Sequence, residues 1–152
     1  MYLYTWFNSA SETEKFEANM SDIQSLVREI EKLRLERKDR IEASISRFQA
    51  VERFEEPDAI PTHIGVGGVW SNWYLRKYGI KIRKFWEDPE TQLSAQLRSL
   101  IDSFKEFDDD RTLDSVAVLA GVVTEPSVVG CKVVYPEDDW PWVDLRYPPL
   151  NT

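Results

Sequence analysis

From Ser9 to Glu56 the chain contains neither glycine nor proline. Nothing in that stretch breaks a helix, and its apolar residues recur at helical intervals, with Ile23, Leu26, Val27, Ile30 and Leu33 forming one stripe. A capping-box spacing at Ser21 and Gln24 marks a start for this helix, and a similar one at Ser11 and Glu14 marks a short helix before it. Ile41, Ile45, Phe48 and Val51 form a second stripe that is out of step with the first. Continuing the first register would put Arg37, Arg40, Ser44 and Arg47 in the seam instead. The pattern predicts one long helix with a stutter, or two antiparallel helices divided at the polar "RLERKDR", packed on a sheet. Residues 21–54 offer both a homodimer seam and an intramolecular core. Only about two heptads stay in register, so the core is the preferred reading.

The flanking elements point to an α+β fold. "YLYTWFN" (Tyr2 to Asn8) alternates like a strand, and Pro57 and Pro61 close the helical region with a linker near 56–64. Ser71 can cap a short helix, "NWYLRKY", which Gly79 stops in the left-handed conformation. "IKIRKFW" alternates and reads as a half-exposed strand. Asp88, Pro89 and Glu90 are a helix start, followed by one apolar face of Leu93, Leu97, Leu100, Ile101, Phe104 and Phe107. Beyond it, "SVAVLAGVV" reads as a buried strand, "TEP" as its turn, "SVVGCKVVY" as the return strand of an antiparallel hairpin, and "WVDLRY" as a further strand. At 152 residues these elements fit a single domain, with helices layered on a sheet.

Composition narrows the class of function. The chain is 42% hydrophobic and 30% charged, has no apolar run long enough to span a bilayer, and opens without signal-peptide features. A cytoplasmic location is therefore expected. Cys131 is the single cysteine and His63 the single histidine, which excludes cysteine-rich zinc sites, multi-histidine metal centres and HExxH hydrolases. A Cys131–His63 nucleophile pair is conceivable, but a cysteine mid-strand among valines behaves as a small hydrophobe, and His63 reads as a loop histidine. The acidic runs Asp108–Asp110 and Glu137–Asp139 lack the ordered spacing of a calcium loop and read as solvated loop caps. No cofactor or metal is expected. A carboxylate-based, magnesium-dependent enzyme is a third-ranked reading.

Charge is unevenly spread. Residues 57–86 carry a net +4, whereas 1–56 carry −3 and 87–152 carry −9. Two contact surfaces follow. The preferred one is acidic and aromatic, formed by Glu137, Asp138, Asp139, Trp140, Trp142 and Tyr147. It suits a non-enzymatic binding protein, an inhibitor or immunity-type factor, that meets a basic protein partner. The alternative is a nucleotide or single-stranded nucleic-acid site built from Trp70, Trp73, Tyr74, Arg76, Lys77, Lys81, Arg83 and Lys84 beside the "GVGG" turn. That turn lacks the GK[ST] of a phosphate loop and the third glycine of a dinucleotide fingerprint. The +4 segment is expected to face the protein's own −9 segment, or another subunit's, rather than phosphate.

Overall fold

The computed structural model describes residues 9–64, 72–119 and 121–147. The predicted strand at Tyr2–Asn8 lies outside them. Helix α1 (Ser9–Glu36) runs unbroken through Ser21, so the capping-box spacing there does not begin a helix. With no breaker nearby, extending the hydrogen-bond ladder is easier than ending it, because each end strands several backbone groups. Arg37 interrupts the helix (φ −118, ψ 25), yet its amide donates to Leu33 O at 3.0 Å and its carbonyl accepts from the Ile41 amide at 3.1 Å. Helix α2 (Lys38–Glu52) therefore continues α1 as a kinked rod and does not fold back antiparallel.

Ile41 of the apolar stripe packs against the core, but the most deeply buried position of α2 belongs to the polar seam. Ser44 is 1% exposed, whereas Ile45, Phe48 and Val51 are 41%, 39% and 48% exposed. Helix α2 ends with the Glu55 amide reaching back to Ala50 O at 2.8 Å, across Phe54 held at φ +58. That position favours glycine, and the Phe54 side chain is fully open to solvent. Phe54→Gly is expected to stabilise the protein by about 0.5–1 kcal/mol, read as a higher urea midpoint.

Helix α5 (Pro89–Glu106) is the centre of the fold. Asp88 caps it through the Glu90 amide at 3.2 Å, with Pro89 at the first helical position, as predicted. Helices α1 and α5 run parallel: Asp22 meets Ser94 and Arg98 at one end, and Glu29 meets Lys105 further on. Between them Ile23, Leu26, Ile30 and Leu33 bury against Leu97, Ile101, Phe104 and Leu113. Arg40 then closes the end of α5, donating to the carbonyls of Phe107 (2.8 Å) and Asp109 (2.7 Å) and stacking over the Phe104 ring at 4.6 Å. A cation there offsets the like-oriented helix dipoles that parallel packing brings together.

A second core lies on the other side of α5. Helix α3 (Asn72–Lys77) ends at Gly79, φ +64, with the Ile80 amide bonded to Leu75 O at 2.8 Å. The segment read as the strand "IKIRKFW" is instead helix α4 (Ile82–Glu87). Ile82 and Phe85 sit three apart and both bury, with Leu75, Tyr74 and Ala95, while Trp86 packs at the margin. The same residues alternate and also satisfy helical spacing, and among the described residues no neighbouring strand bonds with an extended form.

The last third keeps a C-terminal antiparallel pairing, within the predicted strands "SVVGCKVVY" and "WVDLRY", but not the strand predicted before them. Residues 115–119 form no ladder with another strand, Gly121–Val123 is a 3₁₀ turn, and the "TEP" turn opens helix α6 (Thr124–Val128). Pro126 fits there because amides in a first turn have no helical partner. Strand β1 (Val133–Val134) pairs antiparallel with β2 (Trp142–Val143), matching Val133 to Val143 and Val134 to Trp142. The fold is α+β, and among the described residues the two-residue ladder offers too little surface for the expected layer of helices on a sheet, so helices pack on helices.

Candidate contact surface

The C-terminal ladder is held to the helices by three groups. Trp140 stacks on Trp86 with ring centroids 5.5 Å apart, and the adjacent Pro141 is fully buried. Gly121, at φ +71, lies so close that a Cβ there would meet Pro141 Cγ at 3.2 Å and the Trp86 ring at 3.3 Å. The loop before Trp140 is pinned to α4, where Glu137 O accepts from the Arg83 amide at 3.3 Å and its carboxylate pairs with Lys81 at 2.7 Å. Beyond the ladder, Asp144 is buried and takes two hydrogen bonds from the Arg146 guanidinium, each 2.8 Å, and one from the Arg146 amide at 3.2 Å. Those bonds hold its pKa down to about 2.

Anchored in this way, the segment displays large side chains outward. Trp142 is 58% exposed, Leu145 82% and Tyr147 52%, with the Lys132 ammonium 4.2 Å above the Tyr147 ring. Asp138 and Asp139 are exposed on the loop beside them. Of the six residues predicted for an acidic aromatic surface, Asp138, Asp139, Trp142 and Tyr147 face solvent, while Trp140 and Glu137 are engaged in holding the segment down. Leu145 was missed. Its only sequence signal is that it follows Asp144 in "WVDLRY", where alternation alone does not say which face is buried.

The basic segment stays at the surface but is paired with acids of the same chain. Lys77 pairs with Asp102 (3.0 Å), Lys81 with Glu137 (2.7 Å), Arg83 with Glu87 (3.0 Å) and Lys84 with Asp88 (3.7 Å), all four acids lying in the strongly acidic last segment. Arg76 is exposed. Tyr74 is buried, its ring 5.1 Å from that of Tyr78, and both hydroxyls donate to Asp102. Burial first, then the Tyr78 hydroxyl, push the Tyr74 pKa far up. Trp70 lies outside the described residues, and Trp73 lies in α3 with its side chain outside the description. A cleft of about 500 Å³ between α1, α4 and α5 contains Lys81, Lys84 and Arg98, but each already meets a carboxylate.

The acidic run at 108–110 corrects the reading as a solvated cap. Asp108 is fully exposed, but Asp109 and Asp110 are buried. Asp109 binds Arg111 at 2.7 and 2.8 Å and accepts from the Ile64 amide at 2.8 Å. Asp110 takes Arg47 at 2.6 Å, Ser44 at 3.0 Å and the Thr62 amide at 2.8 Å. These aspartates strap the 58–64 loop to α2. Among the described residues, no group of three or more His, Cys, Asp or Glu side chains is placed to hold a metal ion. His63 is exposed, and Cys131 is half-buried in the turn after α6 rather than mid-strand. No helix among the described residues is long and apolar enough to cross a membrane. Comparison with protein-family models, curated proteins and solved structures finds no match to this chain.

Proposed function

We propose that this chain is a non-enzymatic protein-binding module, of the inhibitor or immunity-factor kind, that meets a cationic partner through Trp142, Leu145 and Tyr147 with Asp138 and Asp139 at the rim. The observation that carries this reading is the contrast along one short segment. Trp140 and Pro141 are packed into the protein while Trp142 and Tyr147 are held in solvent. Aromatic side chains on a preorganised support lose little entropy on binding and are the residue types that dominate interface energetics. The exposed aspartates add attraction for a basic surface and speed encounter. The nucleic-acid reading is less favoured because four cations of the basic segment already pair with acids of the same chain, and Tyr74 is buried.

The test is retention of a partner from host-cell extract on immobilised wild-type protein, with Trp142→Ala/Tyr147→Ala and Asp138→Lys/Asp139→Lys variants in parallel. The aromatic variant is expected to weaken the retained partner's affinity by about thirtyfold or more, the effect of losing a hot spot. The charge variant should slow association and flatten its salt dependence. A partner retained equally by wild type and both variants would show that this surface is not the one used.

A further inference from the structure

The segment Ser115–Leu119 takes its hydrogen bonds from a helix rather than from a strand. Gln96 Nε2 donates to Ala117 O at 2.7 Å while its Oε1 accepts from the Ala117 amide at 2.9 Å. Gln92 Nε2 donates to Leu119 O at 2.7 Å and its Oε1 accepts from the Leu119 amide at 2.8 Å. Residues four apart on a helix are separated by about 6 Å, close to the roughly 6.6 Å between alternate residues of a strand. The two glutamines therefore hold this segment extended, with Ala117 and Leu119 facing α5.

In an extended chain successive backbone groups point to opposite sides, so the N–H and C=O of Val116 and Val118 point away from the helix. These four groups have no hydrogen-bond partner among the described residues. Val116 is 46% exposed and Val118 96%. No residue from Ser115 to Thr124 is charged, in a chain that is 30% charged. The devices that usually guard such an edge, a lysine, a proline or a bulge, are missing from residues 115–119.

We infer that this edge joins two copies of the chain as an antiparallel strand pair, with the two-fold axis at Ala117. In an antiparallel ladder, residues that exchange both hydrogen bonds stand directly opposite one another. Placing Val116 against the partner's Val118, and Val118 against the partner's Val116, makes four bonds and uses every outward group on both strands. A slip of one residue would set outward groups against inward ones. The four valines then share one face and pack across the strands. A second copy fits better than an unrelated peptide because each chain supplies the same uncharged strand, and the contact closes on itself. Two chains of net charge −8 repel, and an uncharged strand is where they can approach with least opposition.

Sedimentation equilibrium of the wild type and Val118→Pro decides the matter. Proline at 118 removes an N–H that faces solvent in the single chain and favours the extended conformation already present at Ala117, so the fold is expected to persist with an unchanged far-UV circular dichroism spectrum. The expected result is a wild-type dimer whose dissociation constant rises at least about tenfold in the variant, which loses two of the four inter-chain bonds. A wild type that stays monomeric at all concentrations overturns the inference. So does a dimer indifferent to Val118→Pro; its loss in Phe48→Lys would place the contact on α2. Should the proline variant unfold, amide exchange in the wild type settles the question. Slowing at Val116 and Val118 as concentration rises supports the strand pair, and fast exchange at every concentration overturns it.

Discussion

Asp109→Ala is expected to cost about 3–5 kcal/mol of folding stability, whereas Asp108→Ala, one residue away, should change it by no more than about 0.5 kcal/mol. The Asp109 carboxylate is fully buried, and Arg111, which it neutralises, is nearly so. Its removal leaves a buried guanidinium without its counter-charge and the Ile64 amide without its acceptor. Asp108 is fully exposed and 3.8 Å from Arg40, a separation and setting worth little. Urea unfolding of the two variants beside wild type measures the contrast. Equal losses would mean that the buried network does not hold the 58–64 loop as described.

The same network sets an acid limb. Burial raises the Asp109 pKa, but hydrogen bonds from Arg111 and the Ile64 amide outweigh it and hold the group well below its ordinary 3.8. Asp110 is depressed as well, its burial outweighed by the Thr62 amide, Arg47 and Ser44. A carboxylate whose folded pKa is lowered contributes stability above its unfolded pKa, and that contribution is lost as pH falls through the folded value. Wild type should therefore lose stability steeply below about pH 4, and Asp109→Ala less steeply over the same window.

Phe85→Ala is the second large effect, expected at about 3–5 kcal/mol. The Phe85 ring has no solvent exposure, meets Trp86 edge-on at 5.1 Å, and centres the core formed with Leu75, Ile82 and Ala95. Helix α4 is six residues long, too short to persist without the burial of that ring. Its loosening should also free Trp86 from Trp140, so tryptophan emission is expected to shift to the red and near-ultraviolet circular dichroism to weaken at denaturant concentrations where wild type is intact. An unchanged tryptophan signal would separate the C-terminal anchor from the second core.

Much of the candidate surface was legible in the chain. "PEDDWPWVDLRY" announces acidic and aromatic character, and a contact reading follows from composition. What composition does not say is which tryptophan faces inward. Trp140 lies against Trp86, and Trp142, opposite Val134 in the ladder, is turned to solvent. Likewise, two of three adjacent aspartates proved to be buried, and the Asp110 partners Arg47 and Ser44 are identifiable only once α2 and the end of α5 meet.

The sequence by itself determined the helices whose signals are local. The absence of glycine and proline from Ser9 to Glu56 marked that stretch as helical without saying whether it was one helix or two, Asp88–Pro89 marked the start of α5, and Gly79 marked the end of the α3 turn. Backbone ladders and caps of this kind form between residues a few positions apart, so spacing is enough to reveal them. Tertiary structure alone decided which positions of α2 bury, that Ile82–Trp86 coils rather than extends, and that Ser115–Leu119 is held by glutamines instead of a neighbouring strand. Each of these depends on which partner, distant in sequence, satisfies a buried charge, an apolar face or a backbone amide. A short alternating segment is compatible with more than one answer until that partner is in place.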